Sequence, residues 1–89
     1  MAFSATLLEH GPMAGNMEFR IYQLTDVQNT GSALTVPGWR TVIHAEANNQ
    51  TDTDERIFAS MGTGPTNVVT FDCVNSDDDG YAFLIGRWN

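Results

Sequence analysis

Lysine is missing from this 89-residue chain, and cysteine occurs once, at Cys73. Arg20, Arg40, Arg56 and Arg87 stand against 11 acidic residues, for a net charge of -7. Binding a phosphate backbone needs cationic groups that displace condensed counterions, and anionic membranes draw on the same kind of charge. Four dispersed arginines in an acidic field therefore exclude nucleic acid and membrane as expected partners. A lone cysteine excludes an internal disulfide and a cysteine-based metal site; within a strand it is expected as a small buried hydrophobe. Long apolar runs are missing too. The longest, from Tyr81 to Ile85, is far short of the ~20 residues that span a bilayer. Met1-Ala2-Phe3-Ser4 has neither a basic segment nor a long apolar segment behind it, so no secretory signal is expected.

What is present is an apolar content of 42% and an aromatic content of 10%, enough for one globular domain over residues 1–89. The dominant period is two. Phe3, Ala5 and Leu7 alternate with polar residues, as do Met17, Phe19 and Ile21. Ile43, Ala45 and Ala47 form a third stripe, Ile57, Ala59 and Met61 a fourth, Val69, Phe71 and Cys73 a fifth, and Tyr81, Phe83 and Ile85 a sixth. Successive strand side chains point to opposite faces, so each run predicts a strand with its stripe facing the core. Turn chemistry separates the runs: His10-Gly11-Pro12, Asn29-Thr30-Gly31-Ser32, Asn48-Asn49-Gln50, Gly62-Thr63-Gly64-Pro65, and Asn75-Ser76-Asp77-Asp78-Asp79-Gly80. About six short strands predict an all-β fold, a small antiparallel β-sandwich or barrel. A rival reading makes residues 52–61 a short helix capped by Asp52 or Thr53, with Ile57, Phe58 and Met61 on one side; the strand reading is preferred.

Chemistry has few footholds. The segment from Asn75 to Gly80 imitates the first half of a calcium loop, but Gly86 occupies the spacing of the required bidentate Glu, so a solvated turn is expected. Asp52, Asp54 and Glu55 receive the same reading. The only histidines are His10 and His44; His44 alternates with Glu46 and Arg40, which predicts a salt-bridged or hydrogen-bonded surface row. A thiol pair of Cys73 with either histidine has no local support. No phosphate loop, nucleophile elbow or His-Glu-x-x-His run is present. The expectation is a protein that is not an enzyme and uses no cofactor.

Several strands are apolar on their second face as well. Val68 and Val74 share one such face, Leu84 shares another with Ala82, and Phe58 and Val42 point away from their main stripes. Such a face is either half-polar surface or a contact with another subunit. Missing lysine bears on the same question, because edge strands favour lysine as protection against stray pairing. Trp39 follows Pro37-Gly38, and Trp88 stands near the C-terminal end, fitted to an edge or a subunit contact. Phe3, Trp39, Phe58, Leu84 and Trp88 are the candidate protein-interface residues. A sugar-binding module using Trp39, Tyr22 or Trp88 is a competing reading.

The order of segments carries a resemblance. Met1-Ala2-Phe3-Ser4-Ala5-Thr6 opens, and Gly15-Asn16 leads into Glu18-Phe19-Arg20-Ile21-Tyr22-Gln23-Leu24-Thr25. Asn29-Thr30-Gly31-Ser32-Ala33-Leu34-Thr35, Pro37-Gly38-Trp39-Arg40-Thr41-Val42 and Asp79-Gly80-Tyr81-Ala82-Phe83-Leu84-Ile85-Gly86-Arg87 follow. This series resembles the small capsid decoration (cement) proteins of tailed bacteriophages, some of which have a β-tulip fold. The resemblance implies a structural virion component on the capsid surface, made in the bacterial host cytoplasm. It implies a homotrimer that binds the major capsid protein. A head–tail, tail or spike component of the same kind of virion is the neighbouring alternative.

Overall fold

Alternation of short side chains, broken by glycine, asparagine and aspartate, builds seven strands and no helix among the described residues. The computed structural model describes residues 2–52, 54–62 and 65–88. The strands are β1 (Ser4–Pro12), β2 (Met17–Val27), β3 (Ser32–Thr35), β4 (Thr41–Asn49), β5 (Ile57–Ser60), β6 (Val68–Cys73) and β7 (Asp78–Arg87). They form two antiparallel sheets, a four-stranded one in the order β1-β2-β7-β4 and a three-stranded one in the order β3-β6-β5. β4 lies against β5 and closes one side between the sheets.

The all-β expectation holds, with one strand more than the periodicity showed. The extra strand is β3, hidden inside a Thr- and Gly-rich connection: Ser32 closes its start by accepting the Gln28 N–H on Oγ at 3.0 Å. His10, Gly11 and Pro12 continue β1 instead of ending it, and Asp78 to Gly80 already belong to β7. Residues 57–60 are strand, so the helical alternative falls; Thr53, one of its two candidate caps, lies outside the described residues.

The core is built from Tyr22, Leu24 and Val27 of β2, Ala82 and Leu84 of β7, Val42 of β4, Val36 and Trp39 of the β3–β4 connection, and Ile57, Val69, Phe71 and Cys73 of the smaller sheet. Phe3 packs on it from outside, its ring 6.4 Å from that of Phe71. In the three-stranded sheet the expected stripes face inward. In β2 and β7 they are reversed: Tyr22, Leu24, Ala82 and Leu84 face the core, while Phe19, Ile21, Tyr81, Phe83 and Ile85 face out.

The space taken by Trp39 explains the reversal. A Cβ on Gly86 would stand 2.2 Å from the Trp39 ring, and one on Gly80 would stand 1.9 Å from the Asn48 carbonyl oxygen. Only a side of β7 carrying very small residues can sit beneath these groups. Three bulges separately break the period of two in β1, β2 and β4. Register shifts fall between Leu7 and Glu9, between Leu24 and Val27, and between Val42 and His44. An extra residue moves the following side chains to the other face, so Leu24 and Val27 both point inward although they are three apart. Asp26 takes the left-handed conformation there, at φ 58°, and its N–H donates to Asp79 Oδ1 at 3.0 Å.

Candidate functional site

One polar cluster fastens the β3–β4 connection to β2. Glu18 and Arg20 lie on the inner face of β2, two residues apart. Trp39 Nε1 donates to Glu18 Oε1 at 2.6 Å, and Arg20 Nε donates to the same oxygen at 3.0 Å. Arg20 Nη1 also donates to the Pro37 carbonyl at 2.7 Å, with the guanidinium 5.0 Å from the centre of the Trp39 ring. His10 Nδ1 stands 3.0 Å from Glu18 Oε2. Partial burial pushes the Glu18 carboxyl up, but the Trp39 hydrogen bond, the Arg20 charge and the remaining hydrogen bonds together hold it below the usual carboxylate range. Glu18, Arg20 and Trp39 bind one another and the Pro37 carbonyl, so the cluster is a fastening of the connection to β2.

Cys73, His10 and His44 lie on three different strands, β6, β1 and β4. Cys73 is buried on the smaller sheet, with the Val27 carbonyl at 3.1 Å and the Asn75 carbonyl both within reach of its single S–H. Burial and the nearby Asp78 carboxylate push the thiol up, away from the nucleophilic thiolate form. His10 and His44 stand on β1 and β4, opposite edges of the larger sheet. Of the expected row on β4, His44 pairs with Glu46 at 3.6 Å, while Arg40 lies ahead of the strand. Of the acidic segment, Asn75, Ser76 and Asp77 form an exposed bend as expected, but Asp78 and Asp79 already begin β7: Asp78 is buried and accepts from Asn49 Nδ2 at 2.9 Å, while Asp79 on the other side of the strand accepts from the Asp26 N–H.

The candidate interface residues separate cleanly. Leu84 is 0% exposed and Trp39 is 4% exposed, so both belong to the core and neither presents a surface to a partner. Leu84 faces inward because β7 turns its small-residue side to Trp39. Phe3 is half-buried. Phe58 at 52% and Trp88 at 48% exposure do lie open. The sugar-platform reading loses two of its three aromatics, since Tyr22 is buried along with Trp39.

The surface that sequence reading missed is the outer face of the larger sheet. Cross-strand pairing sets out its rows from β1 to β4. Gly11, Phe19, Ile85 and His44 form one row; Glu9, Ile21, Phe83 and Glu46 form the next; Thr6, Gln23, Tyr81 and Asn48 form a third. Met17, Arg87 and Thr41 close the far end. Phe19 and Phe83 sit on a diagonal, their rings stacked at 6.1 Å and 22°. A shallow hollow of about 350 Å³ opens beside them, lined by Ile21, Glu46, Asn48, Tyr81 and Phe83. Its signal in the sequence is the stripes of β2 and β7, which a period of two alone directs to the core. The outer face of the smaller sheet is different: Thr35, Thr70, Asp72 and Ser60 dilute Phe58 and Val68 there.

Tyr81 on the outer face of the larger sheet and Phe58 on that of the smaller are exposed, and Phe19, Ile21, Phe83 and Ile85 are half-buried. Compared with family models, with curated proteins and with solved structures, the chain matches none.

Proposed function

We propose that this protein is a structural component of a tailed-bacteriophage virion that decorates the capsid shell by binding the major capsid protein, without catalysing a reaction. The observation that supports the reading is the apolar outer face of the larger sheet, where Phe19, Ile21, Phe83 and Ile85 are half-buried beside the exposed Tyr81, together with the exposed Phe58 on the smaller sheet. Contiguous open apolar surface marks contact with other macromolecules. Many shallow contacts repeated on a symmetric lattice add up through effective concentration. A ligand that binds only the assembled shell stabilises it by mass action. The net charge of -7 keeps such an apolar protein dispersed before it docks.

The test is addition of purified protein to shells of the encoding virus prepared without it. Saturable binding over the whole shell, with a higher melting temperature of the shell, is the expected result. Absence of binding overturns the reading, and occupancy of a single ring or of the tail transfers the protein to the head–tail or tail class.

A further inference from the structure

The outer face of the larger sheet is complementary to itself. Its aromatic diagonal, Phe19 and Phe83, crosses an aliphatic diagonal, Ile21 and Ile85, at the centre of the face. Rings stand higher than aliphatic side chains, so the face has a ridge along one diagonal and a trough along the other. Turn a second copy over about a two-fold axis that runs across the strands, between the Phe19–Ile85 row and the Ile21–Phe83 row. Phe19 then comes over the partner's Ile21, and Phe83 over the partner's Ile85. The ridge of each copy lies in the trough of the other.

Charge selects this axis over the other one that interlocks the diagonals. An axis parallel to the strands also sets ring on aliphatic chain, but it brings Glu9 over the partner's Glu46 at both edges, a like-charge pairing that opposes association. With the axis across the strands, His44 comes over the partner's Glu46, Arg87 over the partner's Tyr81, and Glu9 over the uncharged partner's Gly11. Two sheets pack face to face ~10 Å apart with strands turned by ~30°, which displaces the edge pairs by a few ångströms and leaves the long side chains within reach. Four strands ~4.8 Å apart and about ten residues long give a footprint of roughly 600 Å² per copy, at the lower end of a specific interface.

We propose that two copies of this chain associate through the outer face of the β1-β2-β7-β4 sheet, as an isologous dimer about a two-fold axis across the strands. The dimer goes beyond capsid decoration and does not depend on it. It leaves Phe58, Val74 and Trp88 free for other partners.

Sedimentation analysis of the full chain, at concentrations up to roughly the millimolar range where weak interfaces of this size assemble, tests the proposal. A monomer–dimer equilibrium is expected, tightening as salt rises because each copy carries -7. Phe83→Glu is expected to weaken it at least about tenfold, with the far-ultraviolet β spectrum unchanged. Oxidising a mixture of His44→Cys and Glu46→Cys chains should link unlike variants in preference to like ones. Cys73 stays out of that reaction because it is buried. A monomer throughout, a trimer, a dimer indifferent to Phe83→Glu, or preferential linkage of Glu9→Cys to Glu46→Cys chains overturns the proposal. Shell binding is a separate measurement, so dimerisation and decoration can fail independently.

Discussion

The two sides of β7 invert the ordinary relation between size and burial. Facing the core are Asp78, Gly80, Ala82, Leu84 and Gly86; facing out are Asp79, Tyr81, Phe83, Ile85 and Arg87. The inner side is the poorer in apolar atoms, yet it is the side that packs. Trp39 and Ile57 bring the bulk from other elements, and β7 supplies the room. Hydrophobicity along one strand therefore does not say which face is inside; the volume arriving from the opposing layer decides it.

The sharpest way to break this contrast is to add volume on the inner side. Gly86→Val puts carbon where the Trp39 ring and the Thr41 carbonyl already stand, with no flexible neighbour to yield. A loss of more than about 4 kcal/mol is expected, read as the absence of a cooperative thermal transition. Removing volume there comes next. Leu84→Ala empties a fully buried position and should cost about 3–4 kcal/mol in urea unfolding.

Loosening the connection that carries Trp39 is the third test. Glu18→Ala leaves Arg20 without its carboxylate and Trp39 Nε1 without its acceptor, with an expected loss of about 3 kcal/mol. The same residue gives a pH signature. Its folded pKa lies below the unfolded value, so its stabilisation is complete above the ordinary glutamate pKa of ~4.3 and is lost as pH falls through the lower folded value. Glu18→Gln should flatten the acid limb of stability against pH, and an unaltered limb would separate Glu18 from acid unfolding. The smallest effect belongs to the outer side. Phe83→Ala should cost under about 1.5 kcal/mol in the same urea titration. A cost equal to that of Leu84→Ala would erase the difference between the two sides.

Much of the fold was legible in the residues. The period of two in β5 and β6 gave both strand and facing, because Ile57, Val69, Phe71 and Cys73 alternate without interruption. The larger sheet was harder, and for a physical reason. A bulge adds one residue without changing composition, so Leu24 and Val27, or Val42 and Ala45, appear to sit on opposite faces when they share one. Small residues opposite a tryptophan look like surface when the tryptophan is distant in sequence. The candidate surface is affected most: the period of two alone puts Leu84 outside and Phe83 inside, and the structure has them the other way round. Phe58 could be found because its strand has neither a bulge nor a glycine.

The separation of the chain's two tryptophans has a practical consequence. Trp39 lies sealed beside Gly86 with its indole nitrogen on Glu18, while Trp88 stands half in solvent just after β7. Their emission will differ in wavelength and in access to a soluble quencher. Iodide will reach Trp88 in the native state and Trp39 only after the sheets part. One unlabelled sample can thus report melting through the first indole and events at the exterior through the second.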